Sequence, residues 1–188
     1  MSRVEILQAA AAIFQEKGYH AASMQDIAEA VDLQKGSLYH HVSGKQEILL
    51  ALLDSALKML IDRLTAVCES SANPEEKFRA GVRTYLGFLT EYRALSSVLL
   101  LEHRSLDSEL QKKHIPHRDQ VEELWLNILE KGIQDGIFHP EETDLIVRAL
   151  LGVLNWTITW YRPDGRLSSE EIADLFSDLF LAGLKSPA

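Results

Sequence analysis

The sequence predicts an all-α protein of about nine helices, with a small N-terminal head over residues 1–46 and a larger helical body over residues 47–188. Three observations carry that fold class. Apolar residues recur at helical spacing, as Ile6, Ala10, Ile13 and Phe14 do at the start of the chain. Helix start signals punctuate it at Ser23, at Asn73-Pro74-Glu75-Glu76 and at Ser168-Ser169-Glu170-Glu171. No stretch alternates apolar and polar residues as a half-buried strand does, and there is no repeat or low-complexity tract. With 188 residues, 46% of them hydrophobic and 25% charged, the chain can bury a substantial core, and disorder is not indicated.

In the head, a first helix is predicted from about Ser2 to Lys17, ended by Gly18. Ser23 is a good N-cap and Asp26 can answer it, so a second short helix starts at Met24 with Met24, Ile27, Ala28 and Val31 inward. Asp32 falls where the chain must reverse, and aspartate tolerates the left-handed conformation better than most residues. A third short helix follows, about Gln34 to His41. Leu33 and Leu38 anchor it, while Gln34, Lys35, Ser37 and His40 face outward. From Leu33 through Gln46 the bases Lys35, His40, His41 and Lys45 are interrupted by no acid, so a phosphate backbone could approach. A glutamine can pair bidentately with adenine in the major groove and a lysine can reach guanine, which is the profile of a recognition helix. The bland alternative is a solvated helix face.

Lys45 opens a long helix to about Ser70 with Ile48, Leu49, Leu52, Leu53, Ala56, Leu57, Leu60, Ile61 and Leu64 apolar. It starts beside the head and runs into the body without a flexible linker, which favours coupled motion. Asn73 caps the next helix, with Pro74 in its first position, to about Tyr92. Leu95 to His103 reads as a short helix, Leu106 to His114 as a looser connection or a helix, and Arg118 to Gln134 as a helix with Val121, Leu124, Trp125, Ile128 and Leu129 inward. Gly136 to Glu142 is a turn. The helix from Thr143 to Trp160 is apolar nearly all round and needs partners on more than one side. After a turn at Arg162-Pro163-Asp164-Gly165, the last helix, Ser169 to Leu184, offers Ile172, Leu175, Phe176, Leu179, Phe180 and Gly183. These last two helices carry more apolar surface than one body of this size should bury. A homodimer built on them, a four-helix contact across a two-fold axis, explains the excess, against closure of a monomeric core. It also suits a palindromic site read by two symmetric heads.

The net charge of −9 runs against nucleic-acid binding until it is located. Residues 1 to 46 hold Arg3, Lys17, Lys35 and Lys45 against Glu5, Glu16, Asp26, Glu29 and Asp32, a balance of −1, so the acidity belongs to the body. Cys68 stands alone, which excludes an intrachain disulfide or a cysteine-based zinc site and fits a reducing cytoplasm. Ile6 to Phe14 is too short and Ala-rich for a signal peptide, and Leu150 to Tyr161, broken by Asn155, is too short to cross a bilayer. His114 and His117, with Glu102-His103, are the only metal-like grouping. Pro116 is expected to disturb the helix that would align the two imidazoles, and no carboxylate completes a zinc motif, so no metal and no cofactor are expected. Phosphate loops, a nucleophile elbow and a Cys-His pair are missing, which argues against an enzyme.

Ile6-Leu7 with Ala9-Ala10, Phe14, Lys17-Gly18-Tyr19, Ile27-Ala28, Lys35-Gly36-Ser37-Leu38-Tyr39-His40-His41 and Lys45 resemble, without a gap over about residues 4 to 50, the N-terminal domain of TetR-family transcriptional repressors. Asp32 stands where that family usually has Gly, and Val42 where it usually has Phe. The resemblance implies phosphate contacts from Ser23, Tyr39 and Lys45, beside base or phosphate contacts from Gln34, Lys35, Ser37 and His40. It places Leu60, Leu64, Phe88, Tyr92, Leu99, His103, Trp125 and Leu129, with Leu57, on helices that surround an effector cavity. The segment from Leu154-Asn155-Trp156 through Trp160 to Ser168 is similar to the branch that controls fatty-acid and steroid-ring breakdown and senses acyl-CoA thioesters. Arg148, Arg162 and Arg166 then become partners for CoA phosphates, and Trp156 and Trp160 for the adenine or acyl part, unless those tryptophans pack a dimer. The resulting expectation is a homodimeric, one-component repressor with double-stranded operator DNA and a small apolar or amphipathic effector as partners. No membrane is involved, and the location is a bacterial-type cytoplasm, on the nucleoid when bound. The alternative is a co-regulator that keeps the fold without DNA affinity.

Overall fold

A computed structural model describes residues 2–139 and 142–185, and all regular structure among them is helical. The order is α1 (Arg3–Lys17), α2 (Met24–Ala30), α3 (Lys35–Leu38), α4 (Lys45–Glu69), α5 (Pro74–Glu91), α6 (Arg93–Glu102), a 3-10 turn (His103–Ser105), α7 (Ser108–Gln134), α8 (Thr143–Trp160) and α9 (Ser169–Leu184). The chain forms two compact units: Met1–Lys58 with Tyr92–His117, and Met59–Glu91 with Arg118–Ala188. Helices α4 and α7 contribute to both.

In the first unit α1 packs on α2 and α6, and α2 on α3. The α1 stripe Ile6, Ala10, Ile13 and Phe14 is buried as its spacing predicts, with Ile27, Ala28 and Leu38 against it in the core. Capping boxes start α1 at Ser2–Glu5 and α2 at Ser23–Asp26, each satisfying two otherwise orphaned amides. Asp32 has φ 53, the one positive value among described non-glycine residues, so the turn into α3 uses the left-handed conformation that its side chain tolerates.

The second unit is built around α5, which packs against α8 and α9. Trp125 is fully buried with its ring edge toward Phe78, centroids 5.8 Å apart. The indole presses on Gly81, where a Cβ would lie 2.8 Å from the ring, so the missing side chain is what lets α7 approach α5. Tyr85 Oη donates to Asn155 Oδ1 at 2.7 Å, and burial pushes the phenol well above its usual range. On the outside, Arg79–Asp178 (2.6 Å), Arg83–Asp174 (2.7 Å) and Lys185–Glu75 (2.7 Å) tie α5 to the C-terminal helix region. Being exposed, such pairs orient more than they stabilise.

Three sequence expectations are corrected. The helix expected over Gln34–His41 is shorter: only Lys35–Leu38 is α-helical, and residues 39–41 form a turn whose His40 and His41 amides reach back to Ser37 O and Leu38 O. Of the two readings of Leu106 to His114 the helical one holds, but it is not separate from the helix expected to start at Arg118. α7 begins at Ser108 and runs through Pro116 to Gln134. Proline removes one intrahelical donor, but Lys112 through Pro116 is solvent-exposed except His114, so water can satisfy the carbonyl left without its bond. His114 and His117 therefore do share a helix face, where Asp54 Oδ1 lies at hydrogen-bonding distance, 3.2 Å, from Nδ1 of each without forming a metal-holding group. The turn predicted over 136–142 has Gly136 at φ 70, while Pro140 and Glu141 within it lie outside the described residues.

Candidate nucleic-acid interface

The surface expected to read DNA is assembled by the α1–α2 turn, α2, the Asp32 turn and α3. Leu38 is fully buried and Val42 nearly so, and between them Tyr39, His40 and His41 are exposed. Gln34 and Lys35 are exposed and Ser37 is half-buried, just before the exposed Tyr39 and His40. Tyr39 keeps 48% of its surface accessible, unusual for a large aromatic ring in a core-forming segment. A short helix with polar tips outward and one leucine anchor can enter a groove without disturbing the core behind it.

Ser23 is exposed at the head of α2, but both its donors serve the capping box: its amide reaches Asp26 Oδ2 at 2.8 Å and its hydroxyl the same oxygen at 2.6 Å. The Lys17 ammonium, 2.6 Å from Asp26 Oδ1, followed by the Ser23 bonds, holds the Asp26 carboxyl well below the usual carboxylate range. Lys45 is also occupied. Its ammonium donates to Tyr19 O (2.8 Å), Ala22 O (2.7 Å) and His20 O (3.3 Å) and lies 4.4 Å from the centroid of the Tyr19 ring. An ammonium has three protons, and all three have acceptors here.

Sequence reasoning missed four residues behind this surface: Gln46, Glu102, Ser105 and Asp107. Glu102 Oε1 accepts the Tyr19 amide at 3.1 Å, and Gln46 bridges Ser105 O and the Asp107 amide at 2.8 and 3.1 Å. No local signal marks them, because their partners lie 59 to 83 positions away along the chain.

The residues expected to line an effector cavity divide between the units. Leu60, Leu64, Phe88, Trp125 and Leu129 are buried in the second, and Leu57 (3% exposed) and Leu99 (6%) in the first. Tyr92 and His103, also of the first unit, are half-buried. The Trp125 indole N–H is buried without an acceptor. Trp156 and Trp160 are exposed, at 66% and 45%. A cavity of about 360 Å³ at the α8–α9 connection is lined by Trp160, Tyr161, Arg162, Arg166, Leu167 and Phe176, among others. Arg148 is exposed on α8. Along α8 and α9, Leu145, Gly152, Trp156, Leu175, Leu179 and Gly183 form exposed, largely apolar stripes, and a Cβ on either glycine would meet nothing. Among the described residues no three His, Cys, Asp or Glu side chains are grouped to hold a metal ion, and no helix is long and apolar enough to cross a membrane.

Comparison with known proteins matches both parts of the chain. Residues 6–52 match the family described as bacterial regulatory proteins, tetR family, and residues 71–184 the tetracyclin repressor-like C-terminal domain. The HTH-type transcriptional repressor KstR2 of Mycobacterium tuberculosis is 30% identical over 97% of this chain and 92% of its own. The fatty acid metabolism regulator protein of Bacillus subtilis is 25% identical over 96% and 94%. Among solved structures, AibR in complex with isovaleryl coenzyme A and operator DNA superimposes with a TM-score of 0.86 at 26% identity, over 99% of both chains.

Proposed function

The chain belongs to the TetR family of transcriptional regulators, in the fatty-acid and steroid branch, and from that premise we propose that it is a homodimeric repressor of a palindromic operator, released by an acyl-CoA thioester. The observation that carries the DNA half is the surface of α3 and the turn after it, where Gln34, Lys35, Ser37, Tyr39 and His40 stand outward over a buried Leu38. Residues 1–46 act as the DNA-binding domain and residues 47–188 as the effector-binding and dimerisation domain. Gln34 and Lys35 read base edges, and Ser37, Tyr39 and His40 hold bases or phosphates. Ser23 reaches a phosphate by turning its hydroxyl from Asp26. Lys45 does so only by releasing one of its carbonyls, and otherwise shapes the turn that α2 starts from.

Dimerisation through α8 and α9 is supported by their exposed apolar stripes, with Gly152 and Gly183 leaving room for a second backbone to approach. For the effector, the support is the cavity flanked by Arg162, Arg166 and Trp160, which suits the phosphates and adenine of coenzyme A, and the Trp125 donor, which suits the oxygen of an acyl group. AibR, by its description, binds isovaleryl coenzyme A and operator DNA. Release follows if the thioester prefers a conformation whose two recognition surfaces no longer meet successive major grooves. Bound to its operator, the protein sits on the nucleoid in the cytoplasm.

Selection from random DNA followed by a gel shift tests the reading. The wild type should enrich a palindrome, and Tyr39→Ala and Lys35→Ala should each weaken its binding by ~10-fold or more. Acyl-CoA thioesters of graded chain length should then release the DNA. Unaltered binding by both variants would remove the contact assignment, and indifference to every thioester would remove the effector class.

A further inference from the structure

The α1–α2 turn, which carries the reading helices, is held by a polar clasp of which Lys45 alone is also among the proposed DNA contacts. The Tyr19 amide donates to Glu102 Oε1 (3.1 Å), on the last residue of α6. Glu102 Oε2 accepts from Ser105 Oγ (3.2 Å), which lies 3.1 Å from His20 Nε2 in the same turn. From the first turn of α4, the Gln46 amide group donates to Ser105 O (2.8 Å) and its carbonyl accepts from the Asp107 amide (3.1 Å). Lys45, one residue before, holds Tyr19 O and Ala22 O. Gln46 therefore has both ends of its amide fixed by backbone partners, and Glu102 has both oxygens engaged.

These bonds differ in kind from the packing beneath them. α1 lies on α6 through apolar side chains, and apolar contact is non-directional, so it permits small sliding and rotation. Hydrogen bonds lose strength steeply with misalignment, so a ring of them admits one pose. We infer that Gln46 and Glu102 are positioning residues that set the pose of the reading helices on the α6–α7 corner, and thereby the half-site spacing that a dimer accepts.

The inference rests on the operator-binding reading and makes a demand of its own. Inserting one base pair at the centre of a palindrome moves one half-site by roughly 3.4 Å and rotates it by roughly 35°. A head held in one pose loses contacts on such a site, whereas a loosened head follows the displaced groove.

The experiment measures affinity for the palindrome selected by the wild type and for versions with one central base pair added or removed. The proteins compared are wild type, Gln46→Leu, Glu102→Leu and Glu102→Gln. The wild type should discriminate between spacings by ~10-fold or more. Gln46→Leu and Glu102→Leu should fall below ~3-fold while keeping the salt dependence of binding, since no phosphate contact is lost. Glu102→Gln, with one acceptor oxygen left, should lie between. Because the ratio is taken within one protein, a reduced folded fraction cancels. Variants that melt earlier but keep the wild-type ratio have lost only stability, and that result overturns the positioning role. If the wild type enriches no palindrome, the operator reading fails and this role fails with it. A selected palindrome with unchanged spacing ratios in the leucine variants removes the clasp alone.

Discussion

Replacing Lys45 by methionine separates two roles that the sequence alone could not distinguish. Methionine keeps the length of the side chain and removes the charge. The structure gives Lys45 two short bonds to carbonyls, at 2.8 and 2.7 Å, a longer one at 3.3 Å, and the face of the Tyr19 ring at 4.4 Å. Each bond from a charged donor is worth ~1.5–3 kcal/mol when sheltered, and the ring adds ~0.5–1 kcal/mol. Lys45 is only half-buried, so solvent screening reduces the total to about 2–3 kcal/mol. At roughly 2–4 °C per kcal/mol for a chain of this size, Lys45→Met should melt about 4–12 °C below the wild type by scanning calorimetry without DNA. The salt dependence of operator binding gives the second reading. If Lys45 serves the turn, the slope of log affinity against log salt stays at the wild-type value, whereas losing one phosphate contact per subunit would lower it by about 2 for a dimer. A variant that melts with the wild type and loses slope would refute the structural role and restore the phosphate contact.

The turn at Asp32 should tolerate glycine and reject branching: Asp32→Val should lose ~2 kcal/mol in urea unfolding and Asp32→Gly less than ~1 kcal/mol, because the position has φ 53. Gly132→Ala should destabilise despite the ~1 kcal/mol that alanine gains in a helix, since its Cβ would lie 2.0 Å from the fully buried Phe138 ring; overpacking of ~3 kcal/mol leaves a net loss visible as a lower melting temperature. Leu175→Glu with Leu179→Glu, both exposed on α9, should yield monomers in gel filtration and weaken operator binding by ~100-fold or more, as the two heads then bind separately. The Asp26 carboxyl is held low in the folded state, so its contribution is complete above the unfolded carboxylate range and is lost only as pH falls through the folded value. Asp26→Asn should therefore be less stable than wild type at pH 7, with the gap closing only in strong acid below about pH 3.

The legible parts of the fold were those written in short spacings. The caps at Ser23–Asp26 and Ser168–Glu171 stand where their residues predict, because a cap needs only a side chain and an amide three positions away. The buried stripe of α1 and the reversal at Asp32 were readable for the same reason. So was the outward surface of Gln34, Lys35, Tyr39 and His40, since one leucine suffices to orient a single turn of helix. Where the signal was a general rule, it failed against context. Pro116 does not end α7, because the carbonyl it orphans lies in an exposed stretch.

What only the tertiary structure decided is which side chains meet. Trp125 and Trp156 both sit in apolar helical stripes, yet one is wholly buried against Gly81 and the other is 66% exposed. Lys45 faces carbonyls 23 to 26 residues earlier, Asp54 finds His114 and His117, and Glu102 grips the Tyr19 amide across 83 positions. A spacing of three or four residues determines neighbours on one helix whatever surrounds it. Contacts between helices depend on how whole faces pack, and that is a property of the sum of their shapes, which no single stretch of sequence contains.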